Sequence, residues 1–80
     1  MNFSVWLARV EAWAKQHDDE WILHLIEGLA RTRRGEYYNA LLWNLINKAP
    51  ELLPNPKDVD EWVWTGEITP PEDPNGTYEF

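Results

Sequence analysis

Apolar residues recur at helical spacing in three stretches of the first fifty residues, which predicts three amphipathic helices. The first covers residues 4–17, with Ser4 as its cap. The second opens at Asp18, Asp19 and Glu20, ends after Arg34 and has Gly35 as its C′ residue. The third covers about 36–48 and stops at Pro50. Their apolar faces are formed by Phe3, Trp6, Leu7, Val10, Trp13 and Ala14, by Ile22, Leu25, Ile26, Leu29 and Ala30, and by Tyr38, Leu41, Leu42, Leu45 and Ala49.

The second helix is predicted to be the central one, because Trp21 and Leu23 widen its apolar face to about half of the circumference. Trp43 departs from the pattern of the third helix. It projects about 100° away from Leu42 and falls among polar residues. A tryptophan in that position needs a partner, either the C-terminal segment or another molecule.

The pattern changes after Pro50. Pro54-Asn55-Pro56 breaks the chain, and Asp58 and Glu61 then have capping-box spacing, which favours a short fourth helix over 59–65 that stops at Gly66. Trp62-Val63-Trp64-Thr65 is also compatible with a strand, and helix is preferred. Residues 67–80 are rich in proline and lack an apolar face, so they predict a loosely ordered tail.

These elements predict an all-α fold, a small three-helix bundle over residues 1–50. An acidic, Pro-rich and Trp-containing extension, residues 51–80, is expected to pack on the bundle at least as far as Trp64. Eighty residues suffice for one domain with a thin stability margin. Cysteine is absent, so aromatic burial by the six tryptophans is the expected source of additional stability.

Charge is distributed unevenly along the chain. Residues 1–50 carry six basic and six acidic groups, whereas residues 51–80 carry eight acids and a single basic residue, Lys57. The net charge of −7 therefore lies entirely in the last thirty residues. No apolar run approaches the length of a membrane span and no signal peptide is visible, so we expect a cytoplasmic protein with no membrane partner.

The sequence contains little that would support a catalytic function. The chain has no cysteine, no Gly-rich phosphate loop and no nucleophile-elbow signature, so we expect neither an enzyme nor a cofactor. Glu20, His24 and Glu27 share one helical face, but a metal site normally needs three or four ligands and no second His-Glu pair completes one. A solvated charged face explains that pattern better than a metal site.

Three arginines, Arg31, Arg33 and Arg34, lie at the end of the second helix and are candidates for contacts with phosphate, since the second helix, the turn and the third helix have the outline of a helix-turn-helix. The overall acidity argues against direct nucleic-acid binding, and so does the third helix, which carries only one Lys and one Glu. The simpler interpretation is that these positive charges are favoured at the C-terminal end of the second helix by its macrodipole.

The acidic segment is the best candidate site, since acids steer a basic partner and aromatic side chains supply affinity. We therefore expect a protein-binding inhibitor or adaptor whose partner is a basic protein, of the kind that binds nucleic acid. The alternatives are a structural or assembly role as a homo-oligomer, such as a homodimer, and a small regulator that contacts nucleic acid through Arg31, Arg33 and Arg34. A solubilising tail whose tryptophans cover the bundle is the simpler interpretation. In size, charge and lack of catalytic residues, the chain is similar to the small acidic inhibitors that phages and plasmids direct against host enzymes. The residues predicted to contact the partner are Trp43, Asp58, Asp60, Glu61, Trp62, Trp64, Glu67, Glu72 and Asp73.

Overall fold

The computed structural model describes residues 1–69 and is all-helical over that range. Helix α1 spans Phe3–Gln16, α2 spans Glu20–Thr32 and α3 spans Gly35–Lys48. A 3-10 turn over Pro50–Leu52 follows, and helix α4 spans Pro56–Trp64. The predicted helical bundle with a short fourth helix is therefore confirmed, and the strand alternative at 62–65 is wrong.

The starts of two helices differ from the prediction. Asn2, not Ser4, caps α1, because its side-chain oxygen accepts a hydrogen bond from the Val5 amide at 2.9 Å. Asn55, not Asp58, caps α4, and its side-chain oxygen accepts from the Lys57 amide at 2.9 Å. Pro56 explains the second difference, since proline is favoured at the first helical position and fixes the helix start one turn earlier.

The turn between α2 and α3 also differs from the prediction. Gly35 was expected to terminate α2, yet it is the first residue of α3 and is buried. Arg33 instead adopts the left-handed conformation, with φ 57°, and its amide donates to the Leu29 carbonyl at 2.8 Å. An arginine at such a position is uncommon, so contacts from elsewhere in the chain must stabilise it.

The core forms where α2 packs against both α1 and α3, as predicted for a central helix, while α4 packs against α1. The predicted apolar faces supply most of it. Two residues from beyond Pro50, Trp62 and Ile68, are also fully buried. The buried residues are Phe3, Trp6, Val10, Ala14, Ile22, Leu25, Ile26, Leu29, Tyr38, Leu41, Leu45, Ala49, Trp62 and Ile68.

After α4 the chain turns at Gly66, with φ 80°, and returns to the turn between α2 and α3. Residues 67–69, here called the strap, hold it there. The Thr69 amide donates to the Arg33 carbonyl at 2.8 Å, the Thr69 hydroxyl accepts from the Gly35 amide at 3.2 Å, and Ile68 lies in the core. These three residues belong to the segment predicted as a loosely ordered tail, the rest of which lies outside the described residues.

Candidate functional site

Helix α4 divides its side chains between the core and the solvent. Proline at its start and the Asn55 cap fix its register. At 100° per residue, Trp62 and Val59 then project towards α1, and residues 57, 60, 61 and 64 project away from it. We call these four, Lys57, Asp60, Glu61 and Trp64, the outer face; all four are exposed.

The inward side chain, Trp62, is 2% exposed and completes an aromatic cluster. Its ring centroid lies 5.5 Å from that of Phe3 and 5.4 Å from that of Trp6. Its indole N–H donates to the Met1 carbonyl at 3.2 Å. Trp62 was among the predicted partner-binding residues, and in this position its ring is not accessible to a partner.

The outward side chain, Trp64, is 89% exposed, more than any other large apolar side chain in the described part of the chain. Exposed tryptophan is costly in water, since burial of an aromatic ring removes on the order of 150–250 Å² from solvent. Asp60 and Glu61 precede it by four and three residues, which places both carboxylates one turn away on the same side of the helix.

Asp60 and Glu61 belong to the acidic side chains that have no ion-pair partner among residues 1–69, as do Glu11, Asp18, Glu20, Glu51 and Glu67. Within residues 1–69, no side-chain hydrogen bond or ion pair involves Asp60 or Glu61. By contrast, four acidic side chains elsewhere have cationic partners: Asp19 has Lys48, Glu27 has Arg31, Glu36 has Arg34, and Asp58 has the amino group of Met1. The outer face thus presents two carboxylates without an ion-pair partner beside an exposed indole, and Lys57 lies one turn before them on the same face.

Two further predicted residues lie beside the outer face. The Asp58 carboxylate is half-buried, 3.4 Å from the Met1 amino nitrogen, so it contributes little free charge. Glu67 borders the same shallow depression as Glu61, next to Met1 and Asn2. Glu61 and Glu67 therefore extend the acidic surface from α4 towards the start of α1.

Three predicted partner-binding residues do not belong to α4 or the strap. Trp43 is 43% exposed on α3, which packs against α2 and the 3-10 turn. Glu72 and Asp73 lie outside the described residues. The structure therefore gathers only part of the predicted site, and Asp60, Glu61 and Trp64 are its centre.

The three arginines lie near one another but are engaged within the chain. Arg31 pairs with Glu27 at 2.7 Å and Arg34 with Glu36 at 2.9 Å. The Arg33 guanidinium lies 5.1 Å from the centroid of the Phe3 ring and donates to the Glu67 carbonyl at 3.1 Å. Three positive and two negative charges leave this corner with a net charge of +1, a weak attraction for phosphate.

Within residues 1–69, no group of three or more acidic or histidine side chains has an arrangement that would hold a metal ion. His24 stacks on Trp21 at 5.7 Å between ring centroids, and Glu27 pairs with Arg31. Two residues of this face, His24 and Glu27, thus contact neighbouring side chains of α2.

Lys57 is the member of the outer face that sequence reasoning missed. It precedes Trp64 by seven residues, two helical turns, and a helix starting at Pro56 would have revealed it. The available signal was the Asn55-Pro56 pair, which is a stronger helix start than Asp58.

Comparison of the chain with models of protein families, with curated proteins and with solved structures finds no match in any of the three. Among the described residues, none of the helices has the length and apolar character that crossing a membrane requires. The function must therefore be argued from the site itself.

Proposed function

We propose that the chain is a small acidic protein-binding module, an inhibitor or adaptor, that places the outer face of α4 on a basic surface of a partner protein. The observation that carries the proposal is Trp64, which is 89% exposed beside the carboxylates of Asp60 and Glu61, neither of which forms an ion pair within residues 1–69. Exposed aromatic residues are typical anchors of protein interfaces, and the acids around them select a partner of opposite charge.

The distribution of charge supports a basic partner. The described part of the C-terminal segment, residues 51–69, carries five acids and Lys57, whereas residues 1–50 are neutral. A field of one sign on one side of a small molecule raises the association rate with an oppositely charged surface. Proteins that bind nucleic acid present such basic surfaces, and an acidic module that occupies one would act as an inhibitor.

Other partners fit the outer face less well. Nucleic acid and anionic lipid would be repelled by its carboxylates, and a second copy of the chain would bring the same acids together. The arginine corner between α2 and α3 is the alternative contact for nucleic acid. Its guanidinium groups already face Glu27, Glu36, Phe3 and the strap. This corner is therefore weak support for direct nucleic-acid binding.

The proposal is tested by affinity capture from a lysate of the source organism, with the captured proteins identified by mass spectrometry. Three immobilised chains are compared: the wild type, an outer-face variant and a control. The outer-face variant carries Asp60→Asn, Glu61→Gln and Trp64→Leu. The control removes an equal number of negative charges and one exposed indole from α2, through Glu20→Gln, Glu27→Gln and Trp21→Leu. The Trp21 side chain is 55% exposed.

We expect the wild type and the control to retain the same basic protein and the outer-face variant to lose it. Raising the salt from about 0.05 M to about 0.5 M should release that protein, because screening shortens the reach of surface charges. Circular dichroism of the three chains verifies that each is folded. Equal retention of the partner by the outer-face variant would contradict the proposal.

A further inference from the structure

We infer that the outer face of α4 selects arginine over lysine on the partner's surface, with the Trp64 ring and the carboxylates of Asp60 and Glu61 forming a single recognition site for a guanidinium group. The inference rests on the proposed function, because it names the chemistry of the side chain that the outer face would bind. It is argued from the placement of these three residues and from the charges around them.

The geometry of a helix brings the ring and the carboxylates together. Side chains of an α-helix lean towards its N-terminus, so the Trp64 ring extends over the turn that carries Asp60 and Glu61. In the described residues the ring has no packing partner, and it is 89% exposed. One face of an indole and two acceptor groups are therefore available within a single helical turn.

A guanidinium group can use all three at once. It is planar, so it stacks on an indole while its edge N–H groups donate to carboxylate oxygens in a bidentate arrangement. It is also less strongly hydrated than an ammonium group. Lysine offers a compact charge that can approach either the ring or a carboxylate, but it cannot stack and form the bidentate contact together.

The chain already contains one contact of the same type. The Arg33 guanidinium lies 5.1 Å from the centroid of the Phe3 ring and at the same time donates a hydrogen bond to the Glu67 carbonyl. A guanidinium group over an aromatic ring, with a simultaneous hydrogen bond to oxygen, is thus compatible with the surface of this small bundle.

The end of α4 also lacks a cation of its own. The other three α-helices carry a basic residue in the last turn, namely Lys15, Arg31 and Lys48, whereas α4 carries none. A positive group near a helix C-terminus is favoured by the macrodipole. Lys57 is on the outer face one turn before Asp60 and Glu61, but it lies two turns, about 10 Å along the axis, from Trp64 and the helix end. A cation from the partner would supply the missing charge.

The test uses two acetylated and amidated peptides, one of four alternating Arg-Gly repeats and one of four Lys-Gly repeats. Each is titrated into the ¹⁵N-labelled full chain at low salt. The indole N–H resonance of Trp64, assigned by its loss in Trp64→Leu, reports on the outer face. Affinities for the wild type, Trp64→Leu and Trp21→Leu are taken from backbone amide shifts, so that all three chains are measured in the same way.

We expect the wild type and Trp21→Leu to bind the arginine peptide at least about threefold more tightly than the lysine peptide, a ratio that corresponds to one exposed cation–π contact. In Trp64→Leu the ratio should fall towards that of carboxylate pairing alone, and the Trp64 indole resonance should shift more with arginine than with lysine. Because both peptides carry the same charge, attraction to the whole acidic segment affects them equally.

Equal affinities for the two peptides, an unchanged ratio in Trp64→Leu, or no binding of either peptide would overturn the inference. None of these peptide results decides the proposed function, which is tested by affinity capture. The proposed function fails when the outer-face variant retains the captured partner as well as the wild type does. A partner that is captured through the outer face without preference for arginine would separate the two conclusions.

Discussion

Gly28 lies in the middle of α2, where the ring of Tyr37 from α3 packs directly against its backbone. A Cβ atom added at Gly28 would lie 2.5 Å from Tyr37 Cε1 and 2.7 Å from Cδ1. No van der Waals contact is that short, so the ring would have to move. Glycine is tolerated inside this helix because it allows α3 to approach closely.

Substitution of Gly28 by alanine should therefore have opposite effects in two backgrounds. In the wild type, displacement of the ring should outweigh the gain in helix propensity and destabilise the fold by about 1 kcal/mol. In Tyr37→Ala, where the clash is absent, the same substitution should stabilise by about 0.5–1 kcal/mol. Urea unfolding of the four chains measures both values, and stabilisation in both backgrounds would disprove the close contact.

Residue patterns predict the core more reliably than the caps. Phe3, Trp6, Val10 and Ala14 were assigned to the buried face of α1 from spacing alone, and all four are buried. Burial follows from helix periodicity, which is a local property. Asn2 and Ser4 are both good caps, by contrast, and the choice between them depends on how Phe3 enters the core, which the local sequence does not determine.

At the scale of elements, the ends of α2 and α3 are joined by one ion pair. The Lys48 ammonium at the end of α3 lies 2.8 Å from the Asp19 carboxylate that caps α2. The hydrogen bond from Lys48 lowers the pKa of Asp19 below its usual 3.8, and the Ile22 amide contributes in the same direction. The lowered pKa means that the ionised form is preferred in the folded state.

This ion pair gives the stability of the bundle a defined dependence on pH. Because the folded pKa is depressed, the contribution is present above the unfolded pKa of about 3.9 and is lost as the pH falls through the folded value. Asp19→Asn keeps the cap and removes the charge. It should cost up to about 1 kcal/mol at neutral pH, limited by the exposure of Lys48.

Urea unfolding of the wild type and Asp19→Asn at neutral pH and near pH 2.5 measures this dependence. The difference between the two chains should shrink as the pH falls below the unfolded pKa and through the lowered folded pKa, because protonation of Asp19 then removes the charge from the wild type as well. A difference of the same size at both pH values would show that the ion pair does not contribute.

The turn between α2 and α3 illustrates what element-level prediction lacks. Gly35 is the obvious helix terminator in the sequence, yet Arg33 adopts the left-handed conformation. Its carbonyl accepts from Thr69, thirty-six residues later, and its guanidinium lies on Phe3, thirty residues earlier. Contacts this distant in sequence stabilise an uncommon backbone conformation, and periodicity carries no information about them.

For the molecule as a whole, residues 51–69 of the acidic segment belong structurally to the bundle. Trp62 and Ile68 are each 2% exposed in the same core as α1 to α3, and the strap holds the chain against Arg33 and Gly35. Removal of residues 56–80 would therefore remove both core and acidic surface. Point substitutions on the outer face change the acidic surface and leave the core intact, which is why the binding experiments use them.

The proposed site was only partly predictable from the sequence. The concentration of acids and tryptophans after residue 50 was visible, but the separation of Trp62 from Trp64 depends on the register of α4. A helix starting at Pro56 directs Trp62 towards Phe3 and Trp6 and directs Trp64 away from them. Two residues apart on a helix means about 200° of rotation, so an assignment to strand or to an extended tail would have missed this division.

We propose that Trp64 serves a partner and not the fold. The free energy of unfolding of Trp64→Ala tests this claim. Trp62→Ala is the matched comparison within the same helix. We expect Trp64→Ala to change the free energy of unfolding by less than about 0.5 kcal/mol. Trp62→Ala should lose about 3–5 kcal/mol or abolish cooperative unfolding altogether. A loss above about 1.5 kcal/mol for Trp64→Ala would contradict the claim, because the ring would then contribute to the fold.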